Sequence, residues 1–332
     1  MDRKLVKKLL GRIGIPDQFS IESVAGGMNN KVFCVSTNDR KFLLKCYFSH
    51  PDDNRDRLRT EYAFLTFAVN CNIFCVPKPV VDDPENQIAL YEFISGRPLD
   101  LDEVTTENVE SAIAFYFDLN RHRFHECAVR LPNGSEACFT YMDHFSCVES
   151  RVDRLSLVAD SEAKKIITRK LYFAWKEAQE FAIDQLKRSA IDPNLQISKK
   201  MLSPSDFGFH NAILTNSGEL YFVDFEYAGW DNPSKTICDF FCQPKFPVSL
   251  NHYPIWFSNF QDRDVECAVD FAVRTLLPLY RVKWCCILLN HFLTVGEKRR
   301  EFSNEIVDID IQRRIQLEKV EDVLHRLFEF PS

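Results

Sequence analysis

Glycine and proline are scarce in this chain of 332 residues, which contains 10 and 15 of them respectively. Flexible linkers and low-complexity segments are rich in such residues, so we expect no long linker. The chain also has no excess of basic residues. It contains 41 Lys and Arg and 48 Asp and Glu, which gives a formal net charge of −7. Nucleic acids and anionic membranes attract positively charged proteins, so neither is an expected partner.

Long hydrophobic runs are lacking as well. The most apolar stretch, Trp284 to Val295, is short and contains Asn290 and His291, so we expect no integral membrane segment. The basic N-terminal segment lacks the uninterrupted apolar run of a signal peptide. None of the 12 cysteines forms a C-x-x-C pair, the spacing typical of zinc and dithiol sites. The sequence therefore favours a cytoplasmic protein whose cysteines are mostly small buried residues.

The hydrophobic pattern changes along the chain. Before residue 95, the segments Lys31 to Ser36 and Lys41 to Phe48 have the composition of strands, and Arg55 to Val69 has helical spacing. After it the pattern is mostly helical. This predicts an α+β protein with a small sheet-containing N-lobe at residues 1–95 and a mainly helical C-lobe at residues 96–332.

One segment interrupts the helical pattern. Residues 212–224 read as a β-hairpin with a glycine-containing turn. Such a hairpin folds the chain back and brings the loop that carries Asp206 and Asn211 beside Asp224. The oxygen donors of Asn211 and Asp224 suit Mg²⁺, which is bound through few protein ligands plus phosphate oxygens and water. The Asp206 carboxylate can orient a hydroxyl group for attack on a phosphoryl group.

The N-terminal part supplies complementary groups. A glycine turn between two predicted strands offers backbone N–H groups to phosphates, at Gly26, Gly27, Asn29 and Asn30. Lys45 lies within an apolar strand, where a charged side chain is expected if its ammonium group binds phosphates. Glu61 on the following helix can hold this lysine by an ion pair. The order of these signals along the chain is the protein-kinase-like arrangement.

Three segments carry a resemblance to a known family. Residues 26–33 (GGMNNKVF), 91–99 (YEFISGRPL) and 203–211 (SPSDFGFHN) resemble the aminoglycoside phosphotransferase/choline kinase family, and residues 224–233 (DFEYAGWDNP) look like its metal-binding segment. The matches cover about residues 20 to 240. The resemblance implies a bilobal protein-kinase-like fold, with an antiparallel sheet in the N-lobe, that phosphorylates small molecules with ATP and Mg²⁺.

The resemblance also implies roles for individual residues. Lys45 would contact the ATP phosphates, Glu61 would hold Lys45, and the backbone from Glu92 to Ile94 would bind adenine. Asp206 would be the catalytic base. The Mg²⁺ ligands would be Asn211 and Asp224. Asp239 would brace the catalytic loop. A late helix carries Arg281, Lys283 and Trp284. It either lines the acceptor site or simply belongs partly to the core and partly to the solvated surface.

One position departs from the family pattern, because Pro204 stands where a histidine usually supports the catalytic loop. Ser203, Ser205 and His210 are candidates to replace it. The departure keeps a non-catalytic nucleotide-binding regulator open as an alternative, and transfer of AMP is another. The expected partner is a small-molecule acceptor with a hydroxyl group. An amino alcohol, a sugar or a cell-envelope precursor all remain open, with an aminoglycoside as a minority option.

Overall fold

The computed structural model describes residues 1–15, 18–24, 30–49, 53, 55–156, 158, 160–293 and 309–331. These residues form an N-terminal antiparallel sheet and a larger, helix-rich remainder, which confirms the expected α+β fold class. None of the described helices combines the length and the apolar character needed to cross a membrane.

The N-terminal sheet contains β1 (Ser20–Ser23), β2 (Lys31–Ser36), β3 (Lys41–Cys46), β4 (Pro79–Asp83) and β5 (Ile88–Glu92). Neighbouring strands are antiparallel, in the order β1-β2-β3-β5-β4. Side chains alternate between the two faces of a strand, so β3 directs Leu44 to one face and Lys45 to the other. The predicted strand at β2 is confirmed, and β3 ends slightly before the predicted boundary.

Helix α1 (Arg3–Arg12) covers one face of this sheet. Its buried residues Val6, Leu9 and Leu10 follow helical spacing and pack against sheet residues that include Leu44. The Asp2 side chain accepts a hydrogen bond from the Lys4 N–H and so caps the helix. The basic N-terminal segment is therefore a structural element of the sheet layer.

Helix α2 (Arg57–Asn70) follows β3 in the chain and begins at an Asp56 cap. Leu58, Glu61 and Leu65 are spaced by three and four residues and are all buried, so they share the inward face of the helix. A glutamate on this otherwise apolar face needs a charged partner, because an unpaired buried carboxylate is costly.

Most of the remaining chain is helical. The helices are α3 (Thr106–Arg121), α4 (Glu126–Val129), α5 (Tyr141–Leu155), α6 (Ser161–Ile166), α7 (Tyr172–Arg188), α8 (Pro233–Cys242), α9 (Tyr253–Ser258), α10 (Arg263–Leu289) and α11 (Ile309–His325). A π-helical turn joins α6 to α7. The long helix α10 is central, since it contacts α5, α7, α8 and α11.

The predicted hairpin is present within this helical part. Three antiparallel strands form a small sheet in the order β6-β8-β9, namely β6 (Gly96–Pro98), β8 (Ala212–Thr215) and β9 (Leu220–Phe222). A Cβ atom at Gly96 would lie 2.5 Å from the Leu214 carbonyl oxygen, so this pairing needs glycine. Two further strands pair with each other, β7 (Met201–Ser203) and β10 (Gly229–Asp231).

Stacked phenylalanines fix the far end of the hairpin. Phe222 stacks on Phe115 of α3 with ring centroids 4.7 Å apart, and Phe225 stacks on Phe64 of α2 at 4.9 Å. Aromatic pairs of this kind contribute about 0.5–1.5 kcal/mol beyond the burial of their area. They hold Asp224, one of the two residues between Phe222 and Phe225, at a fixed place between α2 and the hairpin.

His144 makes the fold sensitive to acid. It is fully buried on α5, with Nδ1 2.6 Å from the Tyr280 hydroxyl, and burial together with Lys235 and Lys283 lowers the pKa of its imidazole to about 3. Below about pH 6.5 the imidazole of His144 therefore binds a proton in the unfolded chain but not in the folded chain.

We expect the free energy of unfolding to fall by up to about 1.4 kcal/mol per pH unit between about pH 6 and pH 4 through this group alone. In His144→Gln that slope is expected to be smaller, as measured by urea denaturation across this range. His325→Gln, which changes an exposed imidazole, serves as the control and should keep the wild-type slope. Equal slopes for His144→Gln and wild type would contradict the assignment.

Candidate active site

The hairpin brings three of the residues singled out in the sequence together. Asp206 lies in the loop after β7, Asn211 ends the short turn before β8, and Asp224 follows β9. The Asn211 side-chain amide donates to the Asp206 carbonyl oxygen at 3.0 Å, and the Val223 N–H donates to the Asn211 carbonyl oxygen at 2.9 Å. The loop that carries Asp206 and the end of the hairpin are thus joined through Asn211.

Asp224 adopts an uncommon backbone conformation. Its φ of +68° lies in the left-handed region, which costs a non-glycine residue roughly 1 kcal/mol. Ser205, next to Asp206, has a φ of +55°. Strained residues of this kind cluster at functional sites, where the surrounding structure holds them in place.

Lys45 reaches this site from the N-terminal sheet. Its ammonium group is 2.6 Å from the Glu61 carboxylate, also contacts the Asp224 carboxylate, and lies 4.0 Å from that of Glu226. Lys45, Glu61 and Glu226 are almost completely buried, whereas Asp224 is partly open to solvent. Lys45 therefore contacts two carboxylates inside the protein and lies close to a third.

The pKa directions follow from this charge balance. Burial lowers the pKa of Lys45, but the carboxylates of Asp224, Glu61 and Glu226 outweigh burial and raise it well above its usual value. Burial, reinforced by the neighbouring carboxylates, raises the pKa of Glu61 and of Glu226, and Lys45 offsets only part of this. Lys45 thus remains charged, and the cluster is rich in negative charge.

Neighbouring side chains hold the carboxylates in place. The Tyr47 hydroxyl donates to Glu61 at 2.7 Å, the Asn30 amide donates to Glu226 at 2.6 Å, and the Arg57 guanidinium lies 3.5 Å from Glu226. Sequence reasoning did not identify Tyr47 and Arg57. Arg57 is four residues before Glu61 and lies on the same buried face of α2, but nothing in the sequence indicates which carboxylate it meets.

The residues expected to bind nucleotide divide into two sets. Gly26, Gly27 and Asn29 lie outside the described residues. Asn30, Glu92 and Ile94 are described and line the same cleft as Lys45 and Asp206. The Glu92 N–H donates to the Lys78 carbonyl oxygen at 2.8 Å, which fixes the backbone at this point.

His210 takes a position beside Asp206 that suits support of the loop. Its Nε2 atom is 3.1 Å from the Asp206 carboxylate. Burial raises the pKa of Asp206, but the charge and hydrogen bond of His210 outweigh burial and lower it overall. Ser203 supports the backbone instead, because its hydroxyl accepts from the Ser205 N–H at 3.0 Å and is 2.8 Å from the Thr236 hydroxyl.

Asp239 does not make the expected contact with the catalytic loop. Its described hydrogen bonds go to the Lys283 ammonium at 2.8 Å, the Trp284 indole N–H at 2.9 Å and the Lys235 ammonium at 3.3 Å. Lys283 and Trp284 both lie on α10, and Asp239 lies on α8. Sequence spacing alone does not indicate that these two helices meet in this way. Arg281 points elsewhere and donates to the Leu327 carbonyl oxygen at 2.7 Å.

Many of these groups line one continuous cleft of about 1930 Å³. Its lining includes Lys45 and Ile94 from the N-terminal part, Asp206 and Asp224 from the loops at the two ends of the hairpin, and Lys283 from α10. Pockets for single small molecules usually measure about 300–1,000 Å³, so this cleft has room for two ligands. The cleft can therefore hold a phosphate donor and an acceptor together, with Asp206 in its lining.

The oxygen donors are suited to a divalent cation. Ligand atoms of Glu61, Asp224 and Glu226 all lie within 4.8 Å of one another. Hard cations such as Mg²⁺ prefer carboxylate and amide oxygens, and Asp224 is the partly exposed member that faces the cleft. The residues present thus fit a magnesium site.

Replacing Lys45 by methionine should leave the carboxylates of Glu61 and Asp224 without their cation. Removing one partner of a buried ion pair typically costs about 3–5 kcal/mol, and we expect a loss of this size in urea denaturation at neutral pH. Adding Glu61→Gln to Lys45→Met should recover part of the loss. Lys187→Met, on the exposed end of α7, is the control. Unchanged stability of Lys45→Met would show that the cluster contributes nothing.

Comparison with known proteins places these features in a family. The sequence model described as choline/ethanolamine kinase matches residues 21–266. None of the curated proteins compared with this chain matches it.

Solved structures share the fold at low sequence identity. An ethanolamine kinase from Plasmodium vivax is 14% identical with a TM-score of 0.60, and covers 94% of this chain and 84% of its own. The choline kinase LicA from Streptococcus pneumoniae is 17% identical with a TM-score of 0.58, covering 97% and 98%. The ADP-bound aminoglycoside phosphotransferase APH(2'')-Ib is 14% identical with a TM-score of 0.57, covering 99% and 100%.

The family match spans most of the chain, including both lobes and the hairpin. The structural neighbours extend the similarity to nearly all of it. This chain therefore belongs to the choline/ethanolamine kinase family of small-molecule phosphotransferases.

Proposed function

We propose that this protein is a kinase that transfers the γ-phosphoryl group of ATP to a hydroxyl group of a small molecule, in a reaction that depends on Mg²⁺. The observation that carries the proposal is the convergence of Lys45, Asp206, Asn211 and Asp224 along one cleft. The nucleotide would lie between the predicted lobes at residues 1–95 and 96–332. Its adenine would bind along Glu92 to Ile94.

Asp206 would act as the catalytic base. It faces the cleft, and His210 and Asn211 fix its side chain and its carbonyl oxygen respectively. The acceptor hydroxyl would give its proton to Asp206 as its oxygen forms a bond to the γ-phosphorus. The bond between that phosphorus and the bridging oxygen breaks, and ADP leaves.

Asn211 and Asp224 would hold the magnesium ion, with Glu226 adjacent to them. When bound, the ion neutralises charge on the phosphate oxygens. Lys45 would exchange its contact with Asp224 for the phosphates of ATP, while Glu61 keeps the ammonium in place. Gly26, Gly27, Asn29 and Asn30 remain the proposed phosphate-binding turn. Catalysis would rest mainly on positioning and electrostatics.

His210 favours an active enzyme over a non-catalytic regulator. The regulator alternative rests on Pro204 in the place of a supporting histidine, and His210 provides a local imidazole contact to Asp206 from the other side of the loop. Transfer of AMP instead of phosphate would be recognised by the mass of the product.

Binding of Mg-ATP should raise the melting temperature of the protein. Ligand at a hundred times its Kd stabilises a protein by about 2.7 kcal/mol, and ATP without Mg²⁺ should give a clearly smaller shift. Asp224→Asn should lose the part of the shift that depends on Mg²⁺. Asp264→Asn, at the opposite end of α10 from the cleft, is the matched control. Absence of any nucleotide shift in the wild type would overturn the proposed function.

Asp206→Asn should lower turnover by about a hundredfold or more, which is the scale of general-base catalysis, with Mg-ATP binding retained. The assay is ADP release in the presence of a panel of small alcohols, with thermal shift as the readout of binding. Near-normal turnover of this variant would remove Asp206 from its proposed role. If the wild type binds Mg-ATP but neither it nor Asp206→Asn shows turnover, the result would favour a non-catalytic regulator.

A further inference from the structure

The cleft continues beyond Asp206 between α5, α8, α10 and α11. Its described lining there is strongly basic. The cations are Arg151, Arg154, Lys235, Lys245, Lys283 and Lys319. The carboxylates lining the same end, apart from Asp206, are Glu136 and Asp239 in the described part of the chain. Positive groups thus outnumber negative groups at the end where the acceptor would enter.

Both of these carboxylates are already paired. The Lys283 ammonium lies 2.8 Å from both oxygens of Asp239, and Lys235 approaches it to 3.3 Å. Arg151 pairs with Glu136, and the Arg151 Nε atom is buried without an acceptor among the described residues. Neither carboxylate is therefore free to attract a positively charged acceptor.

Three of the cations have no such partner. Among the residues that the structure describes, no ion pair involves Arg154, Lys245 or Lys319. Arg154 and Lys245 are exposed and Lys319 is partly exposed, and each comes from a different part of the C-lobe. They surround the open end of the cleft from α5, from the segment after α8 and from α11.

Two of the aromatic rings that line the cleft do not offer a cage for a cation. The guanidinium groups of Arg55 and Arg57 already lie 5.3 and 5.7 Å from the centre of the Tyr227 ring. Trp284 is largely buried and its indole N–H is used by Asp239. An ammonium group entering here would meet protein cations in place of free carboxylates.

We propose that the acceptor is an alcohol that also carries a negative group, a phosphate or a carboxylate, and that Arg154, Lys245 and Lys319 recognise this group while the hydroxyl faces Asp206. The inference rests on the proposed kinase function and adds the charge of its substrate. Arginine and lysine both bind phosphate and carboxylate oxygens through charge-assisted hydrogen bonds. The same cations would repel choline, ethanolamine and aminoglycosides.

A binding experiment tests the basic end of the cleft without turnover. The nucleotide half is first saturated with Mg²⁺ and a non-hydrolysable ATP analogue, and inorganic phosphate is then titrated at constant ionic strength with the melting temperature as readout. We expect phosphate to stabilise the wild type. The variant Arg154→Gln/Lys245→Gln/Lys319→Gln should bind it at least about tenfold more weakly.

The control variant, Lys4→Gln/Arg40→Gln/Lys187→Gln, removes one arginine and two lysines from exposed positions outside the cleft. It should respond to phosphate as the wild type does. Equal phosphate binding by all three proteins would overturn the inference. So would the lack of any phosphate shift in a wild type that still binds the ATP analogue.

A turnover assay separates the sources of negative charge. ADP release is measured with glucose 6-phosphate, glucuronate, glucose, choline and ethanolamine. Preference for a phosphorylated or a carboxylated alcohol, with a KM that rises about tenfold or more in the triple variant, supports the inference and tells phosphate from carboxylate. Preference for glucose, choline or ethanolamine overturns it. Such a result leaves the kinase function intact, whereas failure to bind Mg-ATP would remove both.

Discussion

The buried contact of Lys45 with Glu61 and Asp224 is the interaction on which the candidate site depends. It joins β3 and α2, which are neighbours in the N-lobe, to the end of the hairpin, which is far away in sequence and belongs to the C-lobe. The Phe225 N–H also donates to Glu61 at 3.3 Å, so the same carboxylate holds the backbone next to Asp224. A lysine inside a sheet is tolerable only with such partners, because burial of an unpaired charge is costly.

A second charge cluster at the other end of the cleft has a different composition. Around Lys45 three carboxylates lie near one lysine and one arginine, Arg57, whereas around Asp239 two lysines lie near two carboxylates, those of Asp239 and Asp231. Asp206 lies between these ends and is influenced by both Asp239 and Lys283. The carboxylate-rich end suits a divalent cation, and the cationic end suits an anionic group. The two ends of the cleft therefore differ in charge, which is consistent with a nucleotide at one end and a charged acceptor at the other.

Family membership and substrate charge are separate questions for this chain. The family match and the shared fold extend over both lobes, yet the solved structures are only 12–17% identical to it. At such identity the shared fold does not determine the side chains that surround an acceptor. The lysines and arginines beyond Asp206 therefore say more about the acceptor than the names of the neighbours do.

The sequence by itself determined the two-part architecture, the hairpin and the order of Lys45, Glu61, Asp206, Asn211 and Asp224, because strand alternation, helical spacing and turn residues are local signals. The sequence also indicated the local candidates, Glu61 for Lys45 and His210 for Asp206, but only the tertiary structure decided which charges meet across the core. The contacts of Arg57 with Glu226 and of Lys283 with Asp239 depend on how α2, α8 and α10 pack against segments distant in sequence. Local patterns specify which face of an element is buried, and they do not specify its partner across the core.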